Sequence, residues 1–264
     1  MIKTFIESEN KKFSISVQLK VSGEKRLRIV LEDTGKPNSK YADRTINVKE
    51  SRSIYFNFPV SPKQLTLTVT NLAQVNDQDI QVTTILTPLR SYNIWIDEAT
   101  ESFLKLSIPF AQVCGFEEGS PNGRIFTNKK LSYKIKYYDI IRDHKTGQVM
   151  NTPARIGHQT GNIEIAKDKF DKYTVPMRMM ILLHEYSHVF RNPKIGLPID
   201  DEVGADINAL YIYLGMGWSK IDAICVYANV FLKAQTQGNV QRMRKIMDYI
   251  AKFENQDFAY RKTG

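Results

Sequence analysis

The sequence predicts an α+β protein, with an antiparallel β-sandwich at the amino end followed by a mainly helical domain that carries a small β-sheet. Three observations point there. Residues 1–90 alternate apolar and polar side chains with a period of two. From about residue 175 onward apolar residues recur at three-to-four spacing. Between these stretches, short alternating segments mix with one helical segment and with loops, so strands and helices are segregated rather than strictly alternating.

The elements follow in order. "KKFSISVQLKV" places Phe13, Ile15, Val17, Leu19 and Val21 on one face, with polar residues between most of them. "RLRIVLED", "RTINVKE", "SIYFNFPV", "QLTLTVTNL" and "DIQVTTIL" continue in the same style, separated by polar turns such as "SGEK", "TGKPNSKYAD" and "VNDQD". Six or seven short strands without a helix predict a sandwich, read as a docking or interaction domain over residues 1–90. The second domain spans 91–264, with the boundary near 88–94. It opens with "WIDEATESFLKLSIPFAQVCGF", a helix kinked or broken at Pro109. "LSYKIKYYDIIRD" and "NIEIAKDKF" predict strands, and "HKTGQVMNTPARIGHQTG" a loop. "TVPMRMMILLHEYSHVF", "EVGADINALYIYLGMG", "WSKIDAICVYANVFLKAQTQ" and "NVQRMRKIMDYIAKFEN" predict helices, with Gly215 and Gly217 closing the second.

Composition narrows the function classes. No apolar run is long enough for a signal peptide or a bilayer span, which predicts a cytoplasmic protein without a membrane partner. Cys114 and Cys225 lie far apart on apolar stretches and read as reduced, buried thiols. The net charge of +9 divides into +5 for residues 1–90 (14 basic, 9 acidic) and +4 for residues 91–264 (23 basic, 19 acidic). A charge spread this evenly, with no basic block interleaved with aromatics, argues against nucleic acid as the partner.

The chemistry concentrates in "ILLHEYSHVF". The chain has four histidines, His144, His158, His184 and His188, and two of them sit four apart with Glu185 directly after the first. On a helix His184 and His188 share a face and can hold one zinc ion. Glu185 is offset by about 100° and can reach a water on that ion without ligating it. The bland alternative is a buried polar pair satisfied by backbone or water, but three polar groups in so apolar a helix are costly without a partner. His144 and His158 read as loop residues. A third ligand is needed. A histidine six residues after His188 is excluded, because that position is Lys194 and no histidine follows. Acids come next: Asp200, Asp201, Glu202 and Asp206. Glu202 and Asp206 are one turn apart at the start of a predicted helix, a place where acids are also favoured by the helix dipole alone.

His184-Glu185-Tyr186-Ser187-His188 followed by Glu202-Val203-Gly204-Ala205-Asp206 resembles the gluzincin zinc metallopeptidases, whose pattern is HExxH and then ExxxD on a second helix. The resemblance covers roughly residues 93–230 and implies a zincin-like metallopeptidase fold there. It implies His184, His188 and Glu202 as zinc ligands and Glu185 as general base. Asp206 would hold the other nitrogen of the first histidine. The "GNIEIA" segment looks like the family's edge strand, against which an extended peptide substrate lies. One departure stands out: many members use a later histidine or a tyrosine to stabilise the oxyanion, and here Tyr211, Tyr213 and Tyr227 read as core aromatics.

The expected function is a zinc-dependent peptidase, with the sandwich docking it on a protein substrate or an assembly. The alternative is a virion structural protein. The leading sandwich and the Lys/Asn/Ile/Tyr-rich style of "KLSYKIKYYDIIRD" resemble virion proteins of AT-rich, crAss-like tailed phages. Such a protein would reuse the fold in a tail or connector ring, located in the virion, with zinc structural or vestigial.

Overall fold

The computed structural model describes residues 1–255 except 37, 74–78, 91, 93, 129–132, 158, 193–194, 196–200, 233 and 235, and, of residue 201, the backbone alone. It is a mixed α+β structure with an antiparallel sheet at the amino end. That sheet contains β1 (Ile2–Glu7), β2 (Phe13–Asp33), β3 (Lys40–Phe58), β4 (Gln64–Asn71) and β5 (Ile80–Pro88).

Two of these strands are long. "KKFSISVQLKV" and "RLRIVLED" belong to the single strand β2, and "RTINVKE" and "SIYFNFPV" to β3. The "SGEK" segment, expected as a turn, is a bulge between the pairs Lys20↔Ser51 and Glu24↔Lys49, where three residues of β2 face one of β3. Gly23 and Glu50 take positive φ there, 75° and 66°. The odd-numbered face stays inward on both sides of the bulge, from Phe13 to Leu31, so the alternation survives it. β3 occupies one edge of β2. The other edge is shared, with β5 on Phe13–Val21 and β4 on Leu27–Asp33, and β1 completes the order beyond β4.

The second part contains α1 (Glu98–Val113), β6 (Arg124–Thr127), β7 (Lys134–Tyr138), β8 (Ala154–Ile156), β9 (Ile163–Ala166) and the one-turn α2 (Lys167–Phe170). After them come α3 (Val175–Val189), α4 (Asp201–Gly215), α5 (Lys220–Val226), a π-turn at Tyr227–Phe231 and α6 (Gln237–Asn255). Asp97 caps α1 by accepting from the Thr100 N–H at 2.7 Å, and the helix runs through Pro109 without a break.

The small sheet has the order β6-β7-β9-β8, with β7 and β9 parallel and the outer pairs antiparallel. This corrects the reading of "GNIEIA" as the edge. That segment forms β9, hydrogen-bonded on both sides, and the edge is β8, drawn from "ARI" in a stretch read as loop. Three residues flanked by Pro and Gly give too short an alternation to stand out; pairing with β9 makes them a strand.

The sheet at the amino end is not set apart from the helices. One apolar cluster runs through both parts. Arg178 of α3 is fully buried, and its guanidinium donates to four carbonyls: Asp171 (2.7 Å), Asn38 (3.1 Å), Ala111 (3.1 Å) and Phe170 (3.3 Å). Asn38 lies in the β2–β3 turn, so this one side chain of α3 ties the sheet to α1 and to the end of α2. Arg44 of β3 pairs with Asp222 of α5 at 2.9 Å, and Asn57 donates to the Gly217 carbonyl at 3.0 Å.

Candidate metal centre

The site is built by two buried helices. Of the fifteen residues of α3, twelve are buried, so a helix that looks apolar all round is one that lies inside the molecule. Pro176 sits in its first turn, where a missing N–H removes no helical bond. The helices α3 and α4 pack side by side, and Asn208 of α4 fixes their relation. Its amide donates to Ser187 Oγ (2.8 Å) and to the Phe190 carbonyl (3.3 Å), and its oxygen accepts from the Asn192 N–H (2.9 Å).

This packing brings His184, His188 and Glu202 together, with one donor atom from each and all three within 4.8 Å of one another. The two Nε2 atoms are 3.1 Å apart. Two nitrogen donors about 2.0–2.1 Å from one tetrahedral ion stand roughly 3.3 Å apart, so the imidazoles already have nearly the spacing an ion requires. Glu202 Oε2 is 3.7 Å from His184 Nε2, and Oε1 is 3.8 Å from His188 Nε2. The histidines are almost closed off from solvent, whereas the Glu202 side chain is 53% exposed and has room to close the remaining few tenths of an ångström.

Asp206 is fully buried and places Oδ1 2.9 Å from His184 Nδ1. A carboxylate there keeps the ring proton on Nδ1 and turns the Nε2 lone pair toward His188 and Glu202. Burial by itself would push the His184 pKa down, but the Asp206 contact and the charge of Glu185 outweigh it, so the pKa lies above the ordinary value. Glu185 follows His184 on α3 and is 8% exposed. The donor set of two imidazoles and one carboxylate suits zinc chemically.

Several neighbours escape a reading by sequence. Arg242 of α6 binds both acids of α4: it holds Asp206 through Nε (2.5 Å) and the second amino group (2.8 Å), and Glu202 Oε2 through the first (2.8 Å). Nothing in "VQRMRKIM" separates this arginine from its basic neighbours, since its partners lie 36 and 40 residues away. Phe231, in the π-turn, lays its ring over His184 with centroids 4.1 Å apart. Tyr227 donates to the Asp206 carbonyl at 3.2 Å, and burial holds its pKa well above the ordinary value.

The three tyrosines are engaged elsewhere. Tyr211 accepts from the Trp95 N–H at 2.9 Å, Tyr213 stacks on Trp218, and Tyr227 faces the α4 backbone. Asp200 and His158 lie outside the described residues, as does the side chain of Asp201. His144 is exposed and meets Arg155 on the outer face of the small sheet. Cys114 is a buried free thiol and Cys225 a half-buried one. Among the described residues no helix is long and apolar enough to cross a membrane.

No protein family, curated protein or solved structure matches the chain.

Proposed function

We propose that the protein is a zinc-dependent peptidase. The observation that carries the reading is the approach of His184 Nε2 and His188 Nε2 to 3.1 Å beside Glu202, with Asp206 against the far side of the His184 ring. His184, His188 and Glu202 would hold the ion, and a bound zinc ion supplies an acidified water and polarises a carbonyl. Asp206 fixes the tautomer and direction of His184. Glu185 takes the proton of the attacking water and passes it to the leaving amine.

The small sheet meets this helix through β8. β8 packs against α3 and, among the described residues, is the end strand of its sheet. The bonds Gly157 N–H to Asn162 O and Ala166 N–H to Pro153 O set the phase of the β8–β9 ladder. Arg155 therefore turns its backbone groups toward β9, while Ala154 and Ile156 turn theirs outward. Thr152 Oγ1 already donates to the Ala154 carbonyl, which keeps a second lone pair.

The second reading, a structural protein that keeps the metal site, is favoured by one observation: the three tyrosines have other partners, Tyr211 the Trp95 N–H, Tyr213 the Trp218 ring and Tyr227 the Asp206 carbonyl. Metal analysis with a peptide-cleavage assay decides between the two. The enzymatic reading expects about one zinc per chain, cleavage of an unstructured protein, and a Glu185→Gln variant that keeps zinc and cleaves nothing. Stoichiometric zinc without cleavage leaves the structural reading; no zinc in the purified chain overturns the enzymatic reading and leaves a structural protein with a vestigial site.

A further inference from the structure

We infer that Arg242 is a positioning residue that makes Glu202 bind the ion through Oε1 alone, and so keeps a coordination position open for the attacking water. The inference rests on the peptidase reading for the ion and its water; the choice of oxygen comes from the contacts of Glu202. Two imidazoles and one carboxylate oxygen leave the fourth position of a tetrahedral ion to water, whereas a carboxylate that chelates through both oxygens supplies a fourth protein donor. The histidines do not choose between the two oxygens. Oε2 stands 3.7 Å from His184 Nε2 and Oε1 3.8 Å from His188 Nε2, so the carboxylate faces the pair almost evenly.

Arg242 breaks this symmetry, because its first amino group lies 2.8 Å from Oε2. An oxygen engaged by a guanidinium is the poorer donor to a second cation, since the two positive charges would then face each other across one atom. The guanidinium cannot follow Glu202 toward the ion. Its Nε and second amino group take both oxygens of Asp206, at 2.5 and 2.8 Å, and Asp206 is fully buried. The Arg242 side chain is itself only 12% exposed. One and two turns further along α6, Ile246 and Ile250 are buried on the same face and seat the helix. Glu202, with half its side chain in solvent, is the partner with room to move. A carboxylate held at Oε2 turns about that contact and presents Oε1 to the histidines.

The test uses the full-length chain loaded with cobalt(II), whose visible absorption reports its geometry, and 2-mercaptoethanol as a probe of the open position. Four-coordinate cobalt absorbs more strongly per ion than five-coordinate cobalt, and a thiolate that joins it adds a charge-transfer band. The wild type is expected to give the strong absorption and saturable thiol binding. Arg242→Ala releases Oε2 to the ion. The absorption per bound ion then falls, and the thiol binds about two- to fivefold weaker, the shift that an ion pair with one exposed partner can impose. Both quantities are read per bound ion, so a loss of fold stability alone moves neither. Where Arg242→Ala does not fold, Arg242→Lys keeps a cation on Asp206 without the fork that spans both acids, and the same two changes are expected. Unchanged absorption and thiol affinity in a folded variant, or a weakly absorbing five-coordinate wild type, overturn the inference and leave the metal centre standing. A wild type that binds no cobalt overturns the centre and the inference together.

Discussion

Replacing Asp206 by alanine separates the two duties this residue has in the structure. Its carboxylate faces His184 Nδ1 at 2.9 Å and receives two guanidinium contacts from Arg242, at 2.5 and 2.8 Å, with no exposure to solvent. Loss of the partner behind a metal-binding histidine reduces affinity by roughly 10–100-fold, which is about 1.4–2.7 kcal/mol. Removing one member of a buried ion pair costs about 3–5 kcal/mol because the other charge is stranded. Here Arg242 keeps Glu202 at 2.8 Å, so the stability loss of the metal-free protein falls near the lower end, about 3 kcal/mol. Competition against a zinc chelator gives the first quantity, and urea denaturation after metal removal gives the second. Arg242→Ala serves as the contrast. It strands Asp206 and lowers metal-free stability, but leaves His184 its partner, so zinc affinity changes by no more than a few-fold. If Asp206→Ala binds zinc as tightly as the wild type while losing stability, Asp206 acts only as a clasp between α4 and α6, and the orientation argument for His184 is wrong.

Three further outcomes follow from other contacts. Glu202→Ala abolishes tight zinc binding in the same chelator assay, whereas Asp201→Ala keeps it; the reverse order would remove Glu202 as ligand. Arg178→Met leaves the carbonyls of Asp171, Asn38, Ala111 and Phe170 without their donor, at about 1–3 kcal/mol for each that finds no water. A loss of at least about 4 kcal/mol in urea denaturation is expected, and a loss under about 1 kcal/mol would show that the clamp between sheet and helices is immaterial. Burial raises the Asp222 pKa above 3.8 and outweighs the attraction of Arg44. A raised folded value means that the stabilising contribution is fully present below about pH 3.8 and is lost as pH rises through the folded pKa. Unfolding midpoints from pH 3.5 to 7 should therefore show Asp222→Asn gaining on the wild type as pH rises, and a constant difference would contradict the assignment.

Much of this protein is local in origin and could be read from the sequence. Alternation over residues 1–90 is a property of neighbouring residues, and it marked the extended segments and their buried face, though not that six or seven short strands would be five, two of them long. The candidate metal centre was legible for the same reason. His184 and His188, and likewise Glu202 and Asp206, are each one helical turn apart, so helix geometry alone aligns each pair. What the pattern could not carry was anything set by partners distant in the chain. "SGEK" has the composition of a turn, and only the register of β2 against β3 makes it a bulge. "NIEIA" and "ARI" differ in which of them has a second neighbour, and this exchanged the edge strand. Arg242 reaches Asp206 across 36 residues, and Arg178 reaches Asn38 across 140. Neither arginine differs in sequence from a solvated one. Their roles exist only because folding removes water from around a charge and leaves particular carboxylates or carbonyls to replace it.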